Sequence, residues 1–236
     1  MSNEIIFLSD VRISFPNIAT PQTQQYNDNG VAKTRVSYNA EFLMPMDHPG
    51  FAQFFKQYQA LATAKWAENA NVVMQRIQAE RKLRCFGQGE EKVNQKTFKP
   101  YDGYPGNIYL TAGRDTMPQI IKPDGSPVDP SNTMEAQALA RKIYGGCRVN
   151  AAVKPWIQAN KYGNGVRLDL VAVQFLRDDT AFGEGAADAS GLFGAVAAVA
   201  AAPAMPGFMA APAPQMPAAP FGQAVTGGLP PFMQGR

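Results

Sequence analysis

The chain has 236 residues, of which 45% are hydrophobic and 17% charged, with a formal net charge of +3. That is enough apolar material for one good core or two small ones. A single histidine, His48, beside a proline at a helix start, and two distant cysteines, Cys85 and Cys147, exclude histidine triads, multi-histidine metal sites and a disulfide framework.

The charge is unevenly placed. Residues 1–177 carry 21 Lys and Arg against 15 Asp and Glu, whereas residues 178–236 carry Arg236 against Asp178, Asp179, Glu184 and Asp188. A basic body with an acid-flanked tail suits an anionic partner, although many proteins with no polymeric partner have as much asymmetry. The longest apolar run, 195–202, is too short to span a bilayer. Nothing ahead of the first strand has the form of a secretory leader, so a soluble chain in a reducing compartment is expected.

Residues 4–15 read as a first strand in which Val11, Ile13 and Phe15 alternate with Asp10, Arg12 and Ser14, and Pro16-Asn17 ends the run. A polar loop with Asn27-Asp28-Asn29-Gly30 at its tip follows. Val36, Tyr38, Ala40, Phe42 and Met44 mark a second strand over 34–44, stopped by Pro45. Asp47 suits a helix N-cap and Pro49 the first turn. Phe54, Phe55, Tyr58, Leu61 and Ala62 then recur at helical spacing, and the pattern runs past Trp66 towards Ile77.

Residues 87–106 form a loop rich in Gly, Lys and aromatics. Its Gly87-Gln88-Gly89 lacks the Gly-Lys-Ser/Thr ending of a phosphate loop. A third strand over 107–114 alternates Ile108, Leu110 and Ala112 with Tyr109 and Thr111. A turn at Pro123-Asp124-Gly125 and a helix over 133–144, closed by Gly145, lead to a hairpin.

That hairpin is the most informative stretch. Residues 145–156 and 166–175 are β-prone runs joined through Gly163-Asn164-Gly165. Cys147, Val149, Ala151 and Val153 share one face, and Arg148, Asn150, Lys154 and Trp156 the other. In the partner run Val166, Leu168, Leu170 and Ala172 oppose Arg167, Asp169, Val171, Val173 and Phe175. A face mixing cations with rings suits an anionic polymer with stackable bases, that is, single-stranded nucleic acid. In the other reading these cations only solvate an exposed face, and Trp156 plugs the end of the core.

Residues 186–236 are nearly all Ala, Pro, Gly, Met and Phe. Too little patterned apolar surface is present to offset the entropy of ordering, so this segment reads as a disordered tail on a domain of residues 1–185. Phe193, Phe208, Phe221 and Phe232 are isolated in it. Either it recruits replication or recombination proteins through short motifs, or it only solubilises. Acid pairs such as Glu90-Glu91 lie in loops, and no residues call for a cofactor or support an enzyme.

Three motifs carry a resemblance: Lys142-Ile143-Tyr144-Gly145-Gly146-Cys147, then Tyr162-Gly163-Asn164-Gly165-Val166 with Leu168 and Leu170, then Val171-Ala172-Val173-Gln174 closing at Arg177-Asp178. Tyr101-Asp102-Gly103 through Pro123-Asp124-Gly125 is a looser match. Over residues 1–185 the chain resembles the single-stranded-DNA-binding proteins of tailed bacteriophages. The resemblance implies a mainly β fold with inserted helices (α+β): an OB-type small Greek-key barrel that coats single-stranded DNA during phage replication or recombination, in the cytoplasm of the infected host. The tail departs from the acidic, aromatic-tipped ends common in such proteins, since its acids stop at Asp188 and it ends Phe232-Met233-Gln234-Gly235-Arg236.

About five strands with a helix after the second also fit that barrel on the residues alone. The expected phosphate contacts are Lys99, Arg114, Arg148, Lys154, Lys161 and Arg167, and the expected stacking rings are Tyr101, Tyr104, Tyr109, Trp156 and Tyr162. A phage structural or assembly protein working through protein contacts is the alternative.

Overall fold

The computed structural model describes residues 4–28, 30–160 and 163–183. Its elements are β1 (Ile6–Asp28), β2 (Val31–Met44), α1 (Pro49–Trp66), α2 (Ala70–Ala79), β3 (Phe86–Gln88), β4 (Ile108–Arg114), β5 (Gln119–Ile121), α3 (Thr133–Ala140), β6 (Arg148–Asn160) and β7 (Gly163–Arg177). The strands form one sheet in the order β3-β4-β2-β1-β6-β7-β5, antiparallel except for the β5–β7 pair.

The five long strands curl until the two sides of this order meet. Arg114 at the end of β4 donates to the Leu170 carbonyl of β7 at 3.5 Å and lies 3.9 Å from the Asp169 carboxylate. The resulting cycle, β1-β2-β4-β7-β6, is the wiring of a partly open five-stranded OB barrel. Ile6, Leu8, Val11 and Ile13 of β1, Phe42 and Met44 of β2, Leu110 of β4, Val149 and Val153 of β6, and Val166 and Leu170 of β7 fill its interior. Phe54, Tyr58 and Ala62 of α1 are buried on the face spaced at helical period.

Several boundaries differ from expectation, each for a local reason. β1 does not stop at Pro16 but runs to Asp28. Pro16 and Pro21 fall at its two register shifts against β2, where a missing N–H costs no ladder bond. At the first shift Phe15 takes φ 46° and turns out to solvent, leaving Ser14 buried. Beyond the second, β1 and β2 continue as a two-stranded arm, exposed at nearly every position from Gln22 to Val36. The expected polar loop is therefore the arm's first strand, and β2 begins at Val31.

His48, not Asp47, caps α1. Its Nδ1 accepts from the Gly50 N–H at 3.0 Å and its Nε2 lies 2.9 Å from the Ser9 carbonyl. The helical run breaks at Ala67, whose φ is 46°, so it becomes two helices. The third helix ends at Ala140, so Gly145 is not its closing residue.

In the hairpin, β6 and β7 pair as far as Asn160 and Gly163, so Gly163-Asn164-Gly165 belongs to β7 and not to the turn. Glycine is needed there because a Cβ on Gly165 would come 2.9 Å from the Leu83 carbonyl. A register shift at Ala152/Val153 leaves Val171 unpaired and reverses the alternation, which turns Val173 into the core. The expected tail, with its four phenylalanines, lies outside the described residues. Among those residues no helix is long and apolar enough to cross a membrane.

Candidate nucleic-acid interface

An OB barrel takes oligonucleotides on the face of its second and third strands, between the loop joining strands one and two and the loop joining four and five. Here those parts are β2 and β4, the β1–β2 arm, and the far end of the β6–β7 hairpin. A groove of about 1000 Å³ lies there, lined by Gln24 and Tyr26 of β1, Thr34, Arg35 and Val36 of β2, Lys82 after α2, and Asp115 after β4. The arm's register sets Gln24 opposite Arg35 and Tyr26 opposite Lys33. Tyr26 is 41% exposed, Lys82 is exposed, and Arg35 pairs with Asp115 at 3.6 Å in the open.

One side of this groove is braced by the hairpin. Arg167 of β7 donates from Nε to Gln158 Oε1 at 3.0 Å, and from its terminal nitrogen to the Lys82 carbonyl at 2.7 Å. Burial lowers the pKa of this guanidinium, and Arg35 nearby lowers it further. Arg167 thus fixes the Lys82 segment against the barrel. Its cross-strand partner Trp156 is 42% exposed, and exposed Lys154 stands opposite Asp169. Arg114 shares Asp169 from the other side.

The sequence-predicted residues therefore separate. Arg167 reaches the groove at Lys82, with Trp156 as its cross-strand partner, while Lys154 and Arg114 meet at Asp169 on the same hairpin. Lys161 and Tyr162 lie outside the described residues. Lys99 is exposed and Tyr101 half-buried on the loop after β3, where Tyr101 meets Phe15 edge-on with ring centroids 5.2 Å apart.

Two of the expected rings are not platforms. Tyr104 is fully buried and donates from its hydroxyl to Glu41 Oε2 at 2.6 Å; burial first, then the Glu41 charge, pushes its pKa far up. Tyr109 is 3% exposed, in contact with Leu43 and Tyr104, with the Lys92 ammonium 4.3 Å from its ring centroid. Neither has a face to offer a base. The alternation in 107–114 set Tyr109 outside the barrel, but the loop after β3 covers that outer face.

Arg148 is also engaged elsewhere. Its Nε donates to Asp179 Oδ2 at 2.8 Å and its NH1 to the Asp10 carbonyl at 3.0 Å. Arg177 pairs with Asp10 at 2.8 Å. Residues 178–183 form a strap over this cluster. In it the Phe182 ring lies 4.2 Å below Arg12, and the Phe182 N–H donates to the Gly145 carbonyl at 2.8 Å.

Sequence reasoning missed Tyr26, Arg35 and Lys82. The signal for the first two was a Thr-, Gln- and Tyr-rich run on both sides of Asn-Asp-Asn-Gly, the mark of a protruding hairpin. Lys82 carries no such signal, since it stands among Arg76, Arg81 and Arg84, where cations complement a helix C-terminus.

Comparison with known proteins bears on this architecture. The family described as the Enterobacter phage Enc34 ssDNA-binding protein matches residues 4–201. The chain belongs to that family. A relative within reach by sequence is protein p50 of Acyrthosiphon pisum secondary endosymbiont phage 1, 31% identical over 179 residues, 75% of this chain and 85% of p50. Among solved structures, the single-stranded DNA-binding protein from bacteriophage Enc34 in complex with ssDNA is similar in fold. Its TM-score is 0.53 at 24% identity, over 76% of this chain and 89% of the other. A second structure of the single-stranded DNA-binding protein from bacteriophage Enc34 gives a TM-score of 0.51 at 25% identity, over 79% of this chain and 88% of the other.

Proposed function

We propose that this chain binds single-stranded DNA without sequence specificity, protecting and organising it during phage replication and recombination. Membership of the Enc34 family supports that function. The observation that carries the site is the groove lined by Tyr26, Arg35 and Lys82, whose Lys82 segment is held by Arg167 of the β6–β7 hairpin. Cations there neutralise phosphates, and exposed rings stack on bases of any identity. The protein acts by binding rather than catalysis, in the cytoplasm of the infected bacterial host.

A labelled oligo-dT and a duplex of equal length, titrated under one salt condition, test the reading. The single strand is expected to bind more tightly. Equal affinity for the two, or none for either, overturns it in favour of a protein-contact role.

A further inference from the structure

A second groove lies on the other side of the Arg81-Lys82 segment. Lys82 lines the first groove, whereas Arg81 lines the second together with Phe15, Lys92, Lys96 and Tyr101. Its volume is about 560 Å³, and no acidic residue is among those lining it. Lys92 is held by Glu41 Oε1 at 2.5 Å, so part of its charge is already answered. Among the described residues Arg81, Lys96 and Lys99 have no ion-pair partner.

The wall of this groove is an ordered loop. Asn94 Oδ1 accepts from the N–H groups of Lys96 and Thr97 at 2.8 and 3.3 Å, its carbonyl accepts from Phe98 at 2.8 Å, and Val93 bridges to Pro100. At its tip Phe98 is 82% exposed with φ 56°. Phe15, which lines the groove, is 48% exposed with φ 46°. A bulky residue at positive φ is a backbone outlier, and such outliers gather where a site requires them. Two exposed phenylalanines held this way among cations offer ring faces to a stacking ligand.

We infer that this groove is a second contact for the same single strand, in which Phe98 and the Phe15–Tyr101 pair stack on bases while Arg81, Lys96 and Lys99 meet phosphates. The inference rests on the proposed single-stranded-DNA function and extends its track past the first groove. The charge of the groove argues for a nucleic acid over an apolar protein partner.

The test uses the full chain and oligo-dT probes from about 6 to 30 nucleotides, comparing wild type with the Phe98→Ala/Lys96→Ala double variant. Both side chains are exposed, so an unchanged melting temperature is expected. The variant is expected to bind the longest probe at least about five-fold more weakly, the lower end of what one lost stack costs. Its log K–log[salt] slope is expected to shrink by about 0.7 for the lost lysine. Wild-type binding with an unchanged variant at every length overturns the second contact and leaves the first groove standing. No oligo-dT binding by wild type overturns the function itself.

Discussion

The two ends of the β6–β7 hairpin carry similar residues and do different things. At the base, Arg148 and Arg177 are met by Asp10 and Asp179, and Arg12 by Asp179 and the Phe182 ring. Further along, Lys154 and Trp156 face solvent beside Asp169 and Arg167. A cation that already has a carboxylate and a carbonyl offers little to a phosphate, since the ion pair must be broken first. The lesson is that a basic strand face is not one surface. Partners from 138 and 31 residues away decide which of its cations are available.

The largest expected effect comes from exchanging the two ends by mutation. Trp156→Ala is expected to weaken oligo-dT binding by about 1–3 kcal/mol, the range for one base stack, with little change in melting temperature because the ring is partly exposed. Arg148→Ala is expected to do the opposite. Affinity holds, while stability falls by about 1–2 kcal/mol with the loss of a charge-assisted bond that is a third exposed. Isothermal titration and thermal melts on the same two variants check this. A melting loss in Trp156→Ala with normal binding would move that residue into the core.

A smaller effect sharpens the comparison by salt. Removing Lys82 or Arg35 is expected to lower the log K–log[salt] slope by about 0.7 each, whereas removing Arg177 leaves it unchanged. Equal slope changes at both ends would mean that the base cluster opens to meet DNA.

The smallest is a pH effect at the base. The hydrogen bond from Arg148, then that from the Thr180 N–H, holds the Asp179 carboxyl below the usual carboxylate range. A carboxyl depressed in the folded state contributes stability above its unfolded pKa of about 4, and loses that contribution as pH falls through the folded value. Melting temperature is therefore expected to drop on acidification below about pH 4, and less so in Asp179→Asn. Identical acid profiles for the two proteins would remove Asp179 from the stabilising cluster.

The barrel was legible because burial is written in alternation. Ile108, Leu110 and Ala112, or Val149, Ala151 and Val153, are inside wherever the strands carrying them pair. What alternation cannot give is a bulge, so Phe15 and Val173 were set on the wrong faces. Nor can it show a covering loop, which is why Tyr104 and Tyr109 looked available. The proposed site was half legible: Trp156 and Lys154 follow from parity, whereas parity sets Arg114 with Leu110 and Ala112, and Lys82 joins them only through Arg167, a contact spanning 85 residues. Tyr26 and Arg35 required knowing that β1 survives its prolines.

That survival has an evolutionary consequence. One strand of 23 residues serves the closed barrel with its first half and the free arm with its second, and the two register shifts fall between them. A pair of residues added or lost symmetrically across the arm's tip preserves side-chain parity and leaves every barrel register intact. Arm length is thus free to change, and with it the reach of the arm beyond the barrel, while the barrel stays fixed.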